Sequence, residues 1–155
     1  MNDLSDILTI EAVDAGLTAA NKKALFQQLA AAAARLTGLP PKQIAAALNE
    51  REKIASTGFG GGAAIPHGKV DGLPHVFGYF ASLSAPIEFQ AVDGMPVDLV
   101  FLLLSPPDAG AEHLKALASV SRTFRDRQTL AKLRGARSKD ALFALLAGEE
   151  TRDAA

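Results

Sequence analysis

Leu99 to Leu104 reads Leu-Val-Phe-Leu-Leu-Leu without a polar residue. A strand with one wet face would place polar side chains at every second position, so an unbroken run like this reads as a strand covered on both sides. Helices must then flank the sheet that contains it. Val76 to Leu83 is a second short run of strand character, bounded by Gly, Pro and Asp signals, and Pro86-Ile87-Glu88-Phe89 reads as a further short strand before an Asp93-Gly94 turn.

Helical periodicity surrounds these runs. Leu25, Leu29, Ala32 and Leu36 recur on one face of an alanine-rich helix that Gly38 and the Pro40-Pro41 pair terminate. A second helix begins at Pro41, whose fixed φ suits a first turn, and carries Ile44 and Leu48 inward to about Lys53. Beyond the strands, Leu114, Leu117, Ser121 and Phe124 form the stripe of a third helix. Two shorter helices follow, near Thr129 to Arg134 and Ser138 to Leu146, with Ser138 as N-cap. The expected fold is α/β, a three-layer sandwich with a central mixed β-sheet flanked by helices. At 155 residues and 48% hydrophobic content, residues 1–155 are expected to form a single domain, with the tail from about 148 frayed.

Charge and cysteine usage narrow the function. Sixteen Lys and Arg against 17 Asp and Glu leave no field that would attract nucleic acid or an anionic membrane. Seven basic residues cluster between Arg122 and Lys139 and read as a solvated helix face, with a docking patch for an acidic partner as the alternative. The absence of cysteine removes disulfides, thiolate metal sites and thiol chemistry. The start Met1-Asn2-Asp3-Leu4 has neither the basic end nor the apolar core of a signal peptide, and the longest apolar run is far too short to span a bilayer. A cytoplasmic location without membrane insertion is expected.

The segment Ser56 to Gly68 contains the chemistry. Gly58, Gly60, Gly61 and Gly62 can take positive φ and let successive backbone N–H groups converge on an anion. The literal match of Gly58 to Ala63 to a dinucleotide fingerprint fails on context, because a helix precedes it and Pro66 soon follows. No Lys-Ser or Lys-Thr follows Gly62, so a Walker loop fails too. A tight turn without ligand remains the alternative to an anion cradle at Gly60, Gly61 and Gly62. Pro66 pushes Ile65 into an extended conformation, which projects His67 at a strand end beside the loop. His113 falls in the first turn of the third helix, at the border of the buried stripe, where by itself it reads as a structural residue; the alternative is a site residue, since the positive end of the dipole favours a phosphate and a neutral imidazole. His75 reads as a loop residue. The three histidines fit no zinc spacing, and no metal or cofactor is expected. Arg51 lies just upstream of the loop, where it could serve a local ion pair or fork onto a phosphoryl oxygen.

Arg51-Glu52, Thr57 to Gly62, Ala64-Ile65-Pro66-His67-Gly68, Asp93-Gly94, Pro96 to Leu103 and Glu112-His113-Leu114 together resemble the IIA component of bacterial phosphoenolpyruvate-dependent phosphotransferase systems, fructose and mannitol class. The likeness runs from about Leu4 to Leu146 and is greatest to the nitrogen-regulatory branch. It implies a phosphotransferase in which His67 is phosphorylated, with His113 and Arg51 as active-site partners and the loop glycines as backbone donors. It further implies a histidine phosphocarrier protein as donor and regulatory targets such as a potassium transporter or a sensor kinase. A sugar-specific IIA serving a separate permease component, or a non-catalytic anion-binding module, are the alternatives.

Overall fold

The computed structural model describes residues 3–148. A 3-10 turn at Ile10–Ala12 leads into β1 (Val13–Leu17), then α1 (Lys22–Thr37) and α2 (Pro41–Ile54). Three short strands follow, β2 (Gly58–Gly60), β3 (Ala63–Ala64) and β4 (His67–Lys69), before the long β5 (Phe77–Ile87) and β6 (Val97–Ser105). The chain then forms α3 (Gly110–Arg125), α4 (Arg127–Gly135) and α5 (Lys139–Ala147). The sheet order is β1-β5-β6-β3-β2, and β4 also pairs with β6. It is mixed, as expected: β5 and β6 are antiparallel, whereas β1 with β5 and both β3 and β4 with β6 are parallel.

β6 is the spine of this arrangement. Every residue from Leu99 to Leu104 is 1% exposed or less, which is the two-sided cover that its composition demands. Phe101 packs edge-on against Phe124 of α3 on one face. On the opposite face Gly68, paired with Leu104, lies under Ala47 of α2. Helix ends are closed by side-chain and glycine caps, of which Gly38 and Ser138 are the expected ones. Asn21 and Ser138 accept from the N–H groups of Ala24 and Ala141, and Gly38 and Gly148 cap α1 and α5 in the left-handed conformation.

Four details depart from the sequence reading. Leu36 is 43% exposed and Leu114 is 66% exposed. The inward stripe of α3 is His113, Ala116, Val120, Thr123 and Phe124, about one position out of phase with the expected one. Its small and polar members suit a helix lying close to the sheet, and they hide the stripe from a search for leucines. Leu36 has the right phase but occupies the last turn, and periodicity does not say how far neighbouring elements extend along a helix. Pro86 and Ile87 do not start a new strand but end β5, past a register shift between Ser82 and Ile87 where a residue without an N–H is tolerated. β1 has no counterpart in the sequence pattern. It is five residues long with a break in register around Gly16, too short and irregular to give a period. The expected frayed tail lies outside the described residues beyond Gly148.

Candidate active site

His67 opens β4, and the residues beside it decide where its ring stands. The carbonyl of Pro66 accepts from the N–H of Leu103 at 2.9 Å, so the chain enters the flank of β6 already extended. A Cβ on Gly68 would lie 3.2 Å from Cβ of Ala47 and 3.3 Å from its backbone. The missing side chain thus lets α2 rest directly on β4. Arg51, one turn beyond Ala47, is brought to the histidine by that approach.

Nε of Arg51 donates to Nε2 of His67 at 3.2 Å, and Nη1 donates to the carbonyl of Ala55 at 3.0 Å. The other ring nitrogen, Nδ1, lies 2.8 Å from the carbonyl oxygen of Ile65. A carbonyl can only accept, so Nδ1 carries the proton and Nε2 keeps its lone pair toward the cleft. Glu52 steadies the arginine's end of α2. Its carboxylate accepts from the backbone N–H and the hydroxyl of Thr57 at 2.8 and 2.6 Å, and pairs with Lys22 at 2.7 Å.

His113 approaches from the other side. It is 9% exposed, its Nδ1 lies 2.6 Å from Oγ of Ser105, and its ring centroid is 5.7 Å from that of His67. Burial lowers the pKa of His67 below 6.5; the Ile65 carbonyl opposes this, the Arg51 charge adds to it and Glu52 opposes it. His113 is lowered by burial and then by the charges of His67 and Lys69. Both rings are therefore neutral at pH 7. The cleft between them is open, about 650 Å³, and is also lined by Glu50, Lys53, Ile54 and Lys69. With Arg51, that places three cationic side chains against two carboxylates, Glu50 in the lining and Glu52 within electrostatic reach of His67. Such a site can receive an electrophile that carries negative charge.

The structure brings His67, His113 and Arg51 together. It does not bring Gly60, Gly61 and Gly62 to them, and the expected position of the loop beside His67 is corrected. Ala63 pairs opposite Leu99 and His67 opposite Leu103, so the turn and the ring are four residues apart along β6, about 13 Å at the usual rise. The glycines do adopt positive φ, at 112°, 66° and 84°. Several of their polar groups face protein: the N–H of Gly61 donates to Asp93 at 2.9 Å, its carbonyl accepts from Arg134 at 2.7 Å, and the carbonyl of Gly62 accepts from the N–H groups of Asp98 and Leu99 at 2.9 and 3.1 Å. Arg134 also forks onto Asp98, with bonds of 2.8 and 2.9 Å from its two nitrogens. The stretch Ala63 to Pro66 is extended, and extension is what carries the histidine away from the turn. Ser105 is the residue that the sequence reading missed. It sits at the end of β6 and its one-letter context carries no signal. Among the described residues no group of three or more His, Cys, Asp or Glu is placed to hold a metal ion, and no helix is long and apolar enough to cross a membrane.

A sandwich of this topology is found among components of the bacterial sugar phosphotransferase machinery. The family described as phosphoenolpyruvate-dependent sugar phosphotransferase system, EIIA 2, matches residues 6–148, and the chain belongs to that family. A nitrogen regulatory protein of Bradyrhizobium diazoefficiens is 47% identical over 144 residues, covering 93% of this chain and 94% of that protein. Its counterpart in Escherichia coli K12 is 36% identical over 148 residues, with 95% and 91% covered. The crystal structure of nitrogen regulatory protein IIA-Ntr from Neisseria meningitidis superposes with a TM-score of 0.87 at 33% identity, over 92% of this chain and 98% of the other.

Proposed function

We propose that the protein is a phosphocarrier of the nitrogen-regulatory type, accepting a phosphoryl group on Nε2 of His67 from a phosphohistidine carrier protein. The observation that carries this reading is the tautomer of His67, its Nδ1–H held by Ile65 and its Nε2 lone pair turned to a cationic cleft. In the transfer, Nε2 attacks phosphorus in line as the donor's N–P bond breaks, and the donor ring leaves as neutral imidazole. The new N–P bond leaves positive charge on the acceptor ring. The Ile65 carbonyl, bonded to Nδ1–H, is placed to stabilise that charge. Arg51 must release Nε2 before attack, and its freed guanidinium then serves the phosphoryl oxygens together with His113. Catalysis rests on placement and electrostatics.

Near-complete mutual coverage with nitrogen-regulatory relatives supports the regulatory reading over that of a sugar-specific IIA. In this reading the chain acts in the cytoplasm as a single IIA-type domain. Phosphorylation adds nearly two negative charges beside Lys53 and Lys69, so protein targets can distinguish the two forms by new pairing or repulsion. Proposed targets are of the potassium-transporter or sensor-kinase kind. Incubation with phosphoenolpyruvate and the upstream phosphocarriers should produce an acid-labile, alkali-stable modification that disappears in His67→Ala. Full labelling of that variant would discard the assignment.

A further inference from the structure

The contact between Ser105 and His113 is not explained by packing alone. Ser105 ends β6 with 0% exposure, and its carbonyl accepts from the N–H of Val70 at 2.8 Å. The strand ladder therefore fixes its backbone, leaving only the hydroxyl free to turn. Among the described residues that hydroxyl has one hydrogen-bond partner, Nδ1 of His113, at 2.6 Å. Two assignments of the shared proton are possible. If Nδ1–H donated to the serine oxygen, the hydroxyl hydrogen would be buried with nothing to receive it. If the hydroxyl donates to Nδ1, both buried groups are satisfied and the ring's only proton sits on Nε2, the nitrogen remaining for the cleft that His113 lines.

We infer that Ser105 is a positioning residue, whose hydroxyl holds neutral His113 in the Nε2–H tautomer so that it meets the cleft as a hydrogen-bond donor. The difference matters because phosphoryl oxygens only accept. A bare Nε2 lone pair would repel them, whereas Nε2–H can bond to them. His67 is held in the opposite tautomer by Ile65. The two rings are thus assigned complementary roles by two buried oxygens, one that can only accept and one that donates. This inference rests on the phosphocarrier reading for its purpose, but not for its geometry.

The test is long-range proton–nitrogen NMR of the histidine rings in the full, unphosphorylated chain at pH 8, combined with single-turnover transfer from a phosphorylated histidine carrier. In the wild type, His113 should show a protonated Nε2 and an unprotonated Nδ1. In Ser105→Ala the preference should collapse toward averaged tautomers, and transfer at saturating donor should slow about fivefold, the equivalent of one net hydrogen bond of about 1 kcal/mol. Apparent KM should stay unchanged. Ser105→Thr keeps the hydroxyl and should restore both readouts. A protonated Nδ1 on wild-type His113, or wild-type tautomer and rate in Ser105→Ala, overturns the inference. Since the wild-type spectrum is decisive alone, a poorly folded variant does not shelter it. Absence of label on His67 would instead sink the phosphocarrier reading while leaving the tautomer assignment standing.

Discussion

Arg51 and His67 are bonded to each other through the nitrogen proposed to attack, Nε to Nε2 at 3.2 Å. The resting site is therefore self-complementary: in the proposed transfer, the guanidinium that would serve the phosphoryl group occupies the position where that group would form a bond. An incoming dianion competes for the arginine, and winning it exposes the lone pair.

Arg51→Ala should slow phosphoryl acceptance by about 100-fold or more, the usual effect of deleting one preorganised donor to a charged transition state. It should also raise the pKa of His67, because the Arg51 charge helps to lower it. Arg51→Lys should restore the charge without the fork and recover only part of the rate. Single-turnover kinetics and an NMR titration of His67 read the two effects separately. A raised pKa with an unaltered rate would reduce Arg51 to an electrostatic neighbour.

The pH dependence follows from the two histidines. Folding lowers both pKa values below 6.5, so the unfolded chain binds protons more readily through that range. Their contribution to stability is complete above 6.5 and is lost as the pH falls through the lowered folded values. Acceptance by His67 should accordingly stay level through pH 6.5 and fall only at more acidic pH. Urea midpoints should decline in the same window, and His67→Gln should flatten part of that decline. Asp93 and Asp126 are also lowered, from 3.8, and lose their contribution in a separate, more acidic window.

Gly68→Ala tests how closely α2 must sit. The added methyl would lie 3.2 to 3.3 Å from Ala47, including its backbone, so a helix and not a side-chain tip has to move. A loss of about 1 to 3 kcal/mol is expected in urea unfolding. Because Arg51 moves with the helix, transfer should also slow in the molecules that remain folded. Wild-type kinetics in a destabilised variant would show that the Arg51 contact tolerates displacement.

Gly62→Ala separates the glycine turn from the chemistry. With φ at +84° and an added Cβ colliding with Nη2 of Arg134, it should disrupt the Arg134 contacts to Asp98 and Gly61 and cost about 1 to 3 kcal/mol. The rate of His67 phosphorylation per folded molecule should change less than twofold, roughly the resolution expected of a site about 13 Å away. A collapse in that rate with a normal urea midpoint would return the turn to the phosphate site.

Much of this was legible from residue type. The six-residue apolar run announced a doubly covered strand, and Ser138, Gly38 and Pro41 marked helix ends where the structure has them. The grouping of Arg51, His67 and His113 was visible only through resemblance, since they lie on α2, β4 and α3 and no spacing rule joins three elements. The glycine turn is close to His67 in sequence but not in space. Four extended residues are enough to separate neighbours in the chain. Ser105 was silent for a different reason: a serine at a strand end has many ordinary uses, and only the 2.6 Å approach to His113 singles it out.

Both imidazoles are tied to one strand. His67 is laddered to Leu103, and His113 is bonded to Ser105 two residues further on. Loosening at the sheet margins, at β1 or around the β2 turn, therefore leaves the spacing between the rings intact. To pull them apart, the molecule would have to peel β4 or α3 from the end of β6, so the working geometry should persist in forms opened only at those other margins.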